Sequence, residues 1–198
     1  MKLVLIRHGM TSWNLRKQVQ GRIDQPLADE GCRQIEKLRL SDDLRGYRWY
    51  SSPLQRALQT IEILGVPDFR VEPRLIEMSW GDWEGQVLKP LRKQLGDEMR
   101  LNEARGLDFK PPGGESPREV QARLKDWLNE IVKHDQDCAV VAHKGVIRCF
   151  YSMAFNWDMV GDSPVDFAWD AAHYFEVSQN GDLEAYYEAV SLNATADD

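Results

Sequence analysis

The 198-residue chain predicts an α/β fold, a three-layer sandwich whose largely parallel central sheet is flanked by helices. Three observations predict it. Short β-rich runs alternate with helix-compatible stretches, the signature of strands joined by crossover helices. Residues 2–6 and Cys138–Ala142 are nearly continuous in apolar residues, as in strands buried on both faces. Each of these runs leads at once into polar residues, Arg7-His8-Gly9 after the first and His143 after the second. Ligands of such sheets bind outside the strands' carboxyl ends.

The remaining elements follow in order. Residues 29–40 suit a helix, and 47–50 a short strand ending at Ser51-Ser52-Pro53. Proline at a first helical turn fits a helix over 54–64. Residues 86–109 read as helical but irregular, interrupted by Pro90, Gly96 and Gly106, so segment 86–110 is the candidate cover over a site. Pro111-Pro112-Gly113-Gly114 marks a rigid turn. Ser116-Pro117-Arg118-Glu119 is a capping box with proline at the first helical position, starting a helix over 117–134 whose apolar face is Leu124, Trp127, Leu128, Ile131 and Val132. Residues 145–155 read as the next helix. Residues 173–177 and 183–187, joined around Asn180-Gly181, predict a hairpin adding edge strands, and 193–198 a frayed tail. One domain over 1–198 accommodates all of this.

A formal net charge of −7 argues against nucleic acid and against an anionic membrane as partners, since both favour extended basic surface. Any anionic ligand needs a local positive site. Cys32, Cys138 and Cys149 have no C-x-x-C spacing and form no secreted-type framework, which with the absence of a signal-like or spanning run places the chain in the cytoplasm. Four histidines without an H-x-H or H-E-x-x-H pair give no metal-ligand spacing. No G-x-x-x-x-G-K-[ST] loop and no G-x-G-x-x-G fingerprint occurs, so no cofactor is expected. The sequence assigns no oligomeric state.

Phosphoryl transfer asks mainly for a nucleophile and for fixed cations around the phosphoryl oxygens. His8 can be the nucleophile; Arg7 and Arg56 offer guanidinium forks matched to phosphate, and His143 another donor. The chain here resembles the histidine phosphatase superfamily, also called the phosphoglycerate mutase-like family. Leu5-Ile6-Arg7-His8-Gly9-Met10-Thr11 with Trp13-Asn14 is similar to its nucleophile motif. The segment from Gln20-Gly21-Arg22 to Pro26-Leu27, the run Ser51-Ser52-Pro53-Leu54-Gln55-Arg56-Ala57, Glu77 to Gly85, Gly113-Gly114-Glu115-Ser116, and Val141-Ala142-His143 with Val146-Ile147-Arg148 follow in the family's order.

The resemblance implies that His8 accepts the phosphoryl group, that Arg7, Arg56 and His143 bind its oxygens, and that Glu77 exchanges a proton with the leaving group or water. It places Asn14, Gln20 and Gly21 among the substrate-binding residues. The chemistry requires His8 neutral at the attacking nitrogen, with its other nitrogen donating to a fixed acceptor. His143 gains from being protonated against phosphate, so the two histidines should differ in proton affinity. His134 and His173 read as structural or solvated, and Trp80 and Trp83 as packing.

Three positions depart from the family pattern: Met10 where Glu or Gln is frequent, Ala28 where Thr or Ser follows Pro-Leu, and Lys144 where glycine follows the second histidine. Lys144 is either a surface cation or an extra cation facing an acidic substrate. Three functions remain: a phosphatase acting on a small phosphorylated metabolite, a phosphoglycerate-type mutase, and a non-catalytic phospho-ligand module. The 27 residues between Gly85 and Gly113 favour the phosphatase, because the family's mutases generally carry a longer segment there. A sugar phosphate, a phosphoglycerate-like acid and a nucleotide-derived monoester all fit.

Overall fold

The computed structural model describes residues 1–192, excluding the side chains of 185–189 and 191; the expected frayed tail, 193–198, lies outside the described residues. In chain order the elements are β1 (Lys2–Arg7), α1 (Ser12–Leu15), α2 (Asp29–Ile35), β2 (Arg48–Ser51), α3 (Gln55–Ile63) and β3 (Phe69–Val71). They continue with α4 (Leu88–Leu95), α5 (Asp97–Glu103), α6 (Pro117–Ile131), β4 (Cys138–Ala142), α7 (Lys144–Phe155), β5 (Ala171–Val177) and β6 (Leu183–Ser191). The strands form one six-stranded sheet ordered β3-β2-β4-β1-β5-β6. Pairings are parallel from β3 through β1, and antiparallel at β1–β5 and β5–β6.

Strand periodicity sorts the core into two layers. Leu3, Leu5, Val140 and Ala142 join a cluster with Val120, Leu124, Trp127 and Leu128 of α6 and Val146, Ile147 and Phe150 of α7. The intervening Val4, Ile6, Ala139 and Val141 join Ala57 and Ile61 of α3 on the other face. Both faces are covered, which is why β1 and β4 carry no polar alternation. Trp127 is completely buried, and truncating it to alanine should cost about 3–5 kcal/mol. Among the described residues, no helix is long and apolar enough to cross a membrane.

Several elements differ from expectation. The helix over 29–40 stops at Ile35: its N-cap, Ala28, supplies no side-chain bond, and the Arg39 N–H donates to the Leu192 carbonyl at 3.0 Å rather than continuing the helix. Pro53 precedes α3 instead of entering its first turn; Leu54 is the N-cap, and Asp24 Oδ1 accepts from the Gln55 N–H at 2.8 Å. Pro90 does not interrupt its helix, because it sits in the first turn of α4, where no intrahelical N–H partner is needed. The break is Gly96, whose φ of 54° and ψ of −120° turn α4 into α5. Strand β3, three residues long, was not anticipated. In the hairpin only β6 is an edge strand; β5 lies inside the sheet.

Segment 86–110 closes over a satellite core of Trp83, Leu91 and Met99, against which Trp80, Leu88, Leu95 and Phe109 pack. An Arg92–Glu103 pair at 2.7 Å joins α4 to α5. Trp80 and Trp83 are thus packing residues, as expected. His173 is buried and bonds the Tyr151 hydroxyl at 2.9 Å, and His134 is exposed at a turn.

Candidate active site

The parallel β1–β4 register pairs Arg7 with Ala142, and the His8 N–H extends the ladder by donating to the Ala142 carbonyl at 2.9 Å. His8 and His143 therefore leave adjacent strands side by side, with ring centroids 5.1 Å apart. Ser51 ends β2, the other neighbour of β4, so three strand ends converge.

His8 is 6% exposed. Its Nδ1–H donates to the Gly9 carbonyl at 2.7 Å, which leaves the lone pair on Nε2, as an attacking imidazole requires. The Gly9 N–H donates to Thr60 Oγ1 at 2.9 Å, and that hydroxyl donates to the Arg56 carbonyl at 2.6 Å, tying the loop to α3. Burial, then the charges of Arg56 and Arg7, push the His8 pKa well below its ordinary value.

His143 is fully buried. Its Nδ1 accepts from Arg56 Nε at 3.3 Å, so Nε2 carries the proton and donates to Ser52 Oγ at 2.6 Å. Burial, followed by Arg56, His8, Arg123 and Arg7, lowers its pKa well below the usual range. One cationic, dry environment thus acts on both imidazoles and favours the neutral form of each.

Arg56 is completely buried, yet its guanidinium meets no carboxylate; Nη1 and Nη2 donate to the carbonyls of Ile23 at 3.1 Å and Gly21 at 2.7 Å. Burial lowers its pKa, against the opposing charges of Glu77, Asp24 and Glu84. Arg7 lies with its guanidinium 5.3 Å from the Trp169 ring centroid, and its buried Nε has no hydrogen-bond partner. Neither arginine forms an ion pair with a described carboxylate. Two desolvated cations, neither in an ion pair with a described carboxylate, stand beside an imidazole with a free nitrogen, an arrangement that can receive a dianion.

Glu77, 9% exposed, faces the start of α7. Its Oε1 accepts from the N–H groups of Met78 at 2.9 Å and Val146 at 3.2 Å, and Oε2 from Gly145 at 3.1 Å. Its own carbonyl accepts from Arg22 Nε at 3.4 Å. Arg22 in turn pairs with Glu115 at 3.0 Å, which Arg123 also meets at 3.2 Å. The Gly-Gly-Glu element thus supports the acid loop. Arg22 and Ser52 both lie inside the matching segments, but neither is among the residues to which the resemblance assigns a role.

The other binding candidates sit nearby. Asn14 closes a capping box with Thr11, its Oδ1 accepting from the Thr11 N–H at 2.9 Å. Gln20 Oε1 accepts from Thr11 Oγ1 at 3.0 Å. Gly21 has φ of +52°, and a Cβ there would lie 2.0 Å from Glu84 Oε1, so only glycine carries the chain past that carboxylate. Arg7, His8, Asn14, Gln20, Gly21, Arg56 and Glu77 all line one cavity of about 620 Å³. His143 is not among the lining residues; it is joined to the wall through its bond from Arg56 Nε and its ring beside His8. Leu88, Arg92, Glu103, Gly106 and Phe109 of segment 86–110 complete the wall. Met10 is not among the lining residues, and its carbonyl accepts from the Ala28 N–H at 2.9 Å.

A larger hollow of about 940 Å³ lies at the amino ends of β2 and β3, lined by Arg39, Arg48 and Arg70 among others, and contains none of the candidate residues. Among the described residues, no group of three or more His, Cys, Asp or Glu could hold a metal ion.

The profile of the histidine phosphatase superfamily (branch 1) matches residues 3–183. Phosphoglycerate mutase-like protein 4 of Arabidopsis thaliana is 33% identical over 162 residues, covering 77% of this chain and 70% of its own. Phosphoserine phosphatase 1 of Hydrogenobacter thermophilus is 32% identical over 169 residues, covering 80% and 78%. Among solved structures, a mycobacterial glucosyl-3-phosphoglycerate phosphatase complexed with VO3 superposes with a TM-score of 0.76 at 25% identity, covering 98% of this chain and 99% of that one.

Proposed function

Because this chain belongs to the histidine phosphatase superfamily, we propose that it hydrolyses a small phosphate monoester through a phosphohistidine formed at His8 Nε2. The observation that carries this reading is the 2.7 Å bond from His8 Nδ1 to the Gly9 carbonyl. It fixes the tautomer that leaves Nε2 free, on a ring that lines the same cavity as Arg7 and Arg56.

In the first step the Nε2 lone pair attacks phosphorus, the P–O ester bond breaks, and the leaving oxygen takes a proton from the Glu77 carboxyl. In the second, water attacks the phosphohistidine and gives a proton to Glu77. The P–N bond then breaks and its electron pair returns to Nε2. Alcohol and inorganic phosphate are the products. Arg7 and Arg56 stabilise charge on the transferring oxygens. His143 acts first through Arg56, whose Nε it holds, and Asn14, Gln20 and Gly21 shape the phosphate cradle.

Residues 86–110 serve as the cover. The short stretch between Gly85 and Gly113 folds into two short α-helices and one 3-10 turn, and this favours release to water over the shielded return of the group that a mutase needs. Relatives named as phosphoserine and glucosyl-3-phosphoglycerate phosphatases support a small phosphorylated metabolite as substrate. The test is acid-free, denaturing quench of enzyme during turnover of a 32P-labelled monoester. Base-stable, acid-labile label on His8 and stoichiometric phosphate release are expected, both absent in His8→Ala. Turnover by folded His8→Ala rejects the covalent route, and transfer to a second acceptor without phosphate release assigns a mutase.

A further inference from the structure

Lys144 and Arg148 are one helical turn apart on α7 and line the same cavity as His8. Neither side chain forms an ion pair or hydrogen bond with any described residue. Aromatic rings hold them instead. Lys144 Nζ lies 4.9 Å from the centroid of Trp169, the ring that Arg7 also faces at 5.3 Å. Arg148 Cζ lies 5.3 Å from the Trp157 centroid and 5.9 Å from that of Phe167. Such faces position a cation without neutralising it, since a ring quadrupole is a far weaker partner than a carboxylate.

The three rings belong to residues 156–170, the strap from α7 to β5. The strap is fastened to segment 86–110: the Leu107 N–H donates to the Asp158 carbonyl at 2.8 Å, and a Cβ on Gly106 would stand 2.2 Å from that same oxygen. Burial lowers the Lys144 pKa, and Arg7 and Arg148 lower it further while Glu77 opposes them. In a chain where 32 acidic residues outnumber 25 basic ones, no described carboxylate forms an ion pair with either cation of this wall.

Position gives the cluster its meaning. Lys144 directly follows His143, and Arg148 lies about 6 Å further along the helix axis. Glu77, which faces the leaving oxygen in the reaction above, is bonded to the N–H groups of Gly145 and Val146 at the same end of α7. The leaving-group side of the cavity is therefore the side these cations occupy. We propose that the substrate's leaving group carries a second anionic group, a carboxylate or a phosphate, bound between Lys144 and Arg148; this rests on the hydrolase reading. The substrate class is then the compact acidic monoesters, and Lys144 and Arg148 are specificity determinants.

The test compares kcat/KM within two matched pairs. 3-Phosphoglycerate and glycerol 3-phosphate differ by a carboxylate, and fructose 1,6-bisphosphate and fructose 6-phosphate by a phosphate. Wild-type enzyme, Lys144→Met, Arg148→Met and the double variant are measured on all four; a ratio within a pair is unaffected by the fraction of folded enzyme. Wild type should favour the more anionic member of at least one pair by tenfold or more. Each single variant should cut that preference about tenfold, equivalent to about 1.4 kcal/mol, and the double variant should abolish it. The pair that responds tells carboxylate from phosphate. No preference in either pair, or an unchanged ratio in the double variant, overturns the second-anion site and leaves the hydrolase reading intact. Absence of both turnover and phosphohistidine with all four compounds defeats the hydrolase reading instead. Calorimetric titration of the same four compounds then decides the site: loss of a binding preference in the double variant supports it, and equal affinities within each pair overturn it.

Discussion

Gly145 makes room for Glu77. A Cβ on Gly145 would stand 2.5 Å from Glu77 Oε1, while the Gly145 N–H already donates to Oε2 at 3.1 Å. Alanine favours a helix by about 1 kcal/mol over glycine, but here it must push the carboxylate aside. Gly145→Ala and Glu77→Gln should both slow alkyl phosphates at least tenfold more than p-nitrophenyl phosphate, because a good leaving group needs little protonation. Equal slowing of both substrates assigns Glu77 to binding or structure.

Arg7→Met is expected to trade function for stability. The wild-type guanidinium is desolvated, has an unpartnered Nε and forms no ion pair with a described carboxylate, so its charge costs folding energy. The variant should melt several degrees higher, since about 1 kcal/mol moves Tm by roughly 2–4 °C at this size, and lose at least 100-fold in kcat/KM. Inorganic phosphate should raise the Tm of wild type and leave that of the variant nearly unmoved. A lower Tm for a folded variant contradicts this account.

The charge stabilisers proposed are all side chains, so exhaustive chelation followed by assay in metal-free buffer should leave kcat within twofold. Loss of activity restored by a divalent cation points to a metal-dependent hydrolysis.

Acid should weaken the fold through its buried imidazoles. Burial lowers the His173 pKa to about 4 from 6.5, and His8 and His143 shift the same way. The unfolded chain thus binds more protons below about pH 6.5, so stability is complete above that pH and declines as pH falls toward 4. For His173 the linkage amounts to at most about 3 kcal/mol. His173→Gln keeps an acceptor for the Tyr151 hydroxyl but does not titrate. Urea midpoints between pH 6.5 and 4.5 should fall less steeply in this variant, and an identical slope excludes His173 as a contributor.

The legible parts of this molecule are those where one residue's environment leaves a local trace. Burial on both faces left continuous apolar runs at β1 and β4, which located His8 and His143. The capping box at Ser116 set the start of α6. The illegible parts depend on partners distant in the chain. Helix α2 ends early because Leu192 takes the Arg39 N–H, and α3 is capped by Asp24 rather than by its own proline. Trp169, Trp157 and Phe167 sit in a strap without helix or strand periodicity, so only the fold shows which cations they face. The bond between the His143 ring and the Arg56 guanidinium joins residues 87 positions apart, and no motif encodes it.

The pairing of Leu3 with Cys138 through Arg7 with Ala142 also has a consequence for synthesis. The strand that leads into His8 is made before the strand it pairs with, which emerges 135 positions later. Until then residues 3–6 are a sticky ribbon with both edges unsatisfied, a hazard for a nascent polypeptide. Neither the paired imidazoles nor the helix start that grips Glu77 exists in any shorter product. A ribosome that stalls before α7 therefore releases a chain that lacks the helix start to which Glu77 is bonded and needs a chaperone.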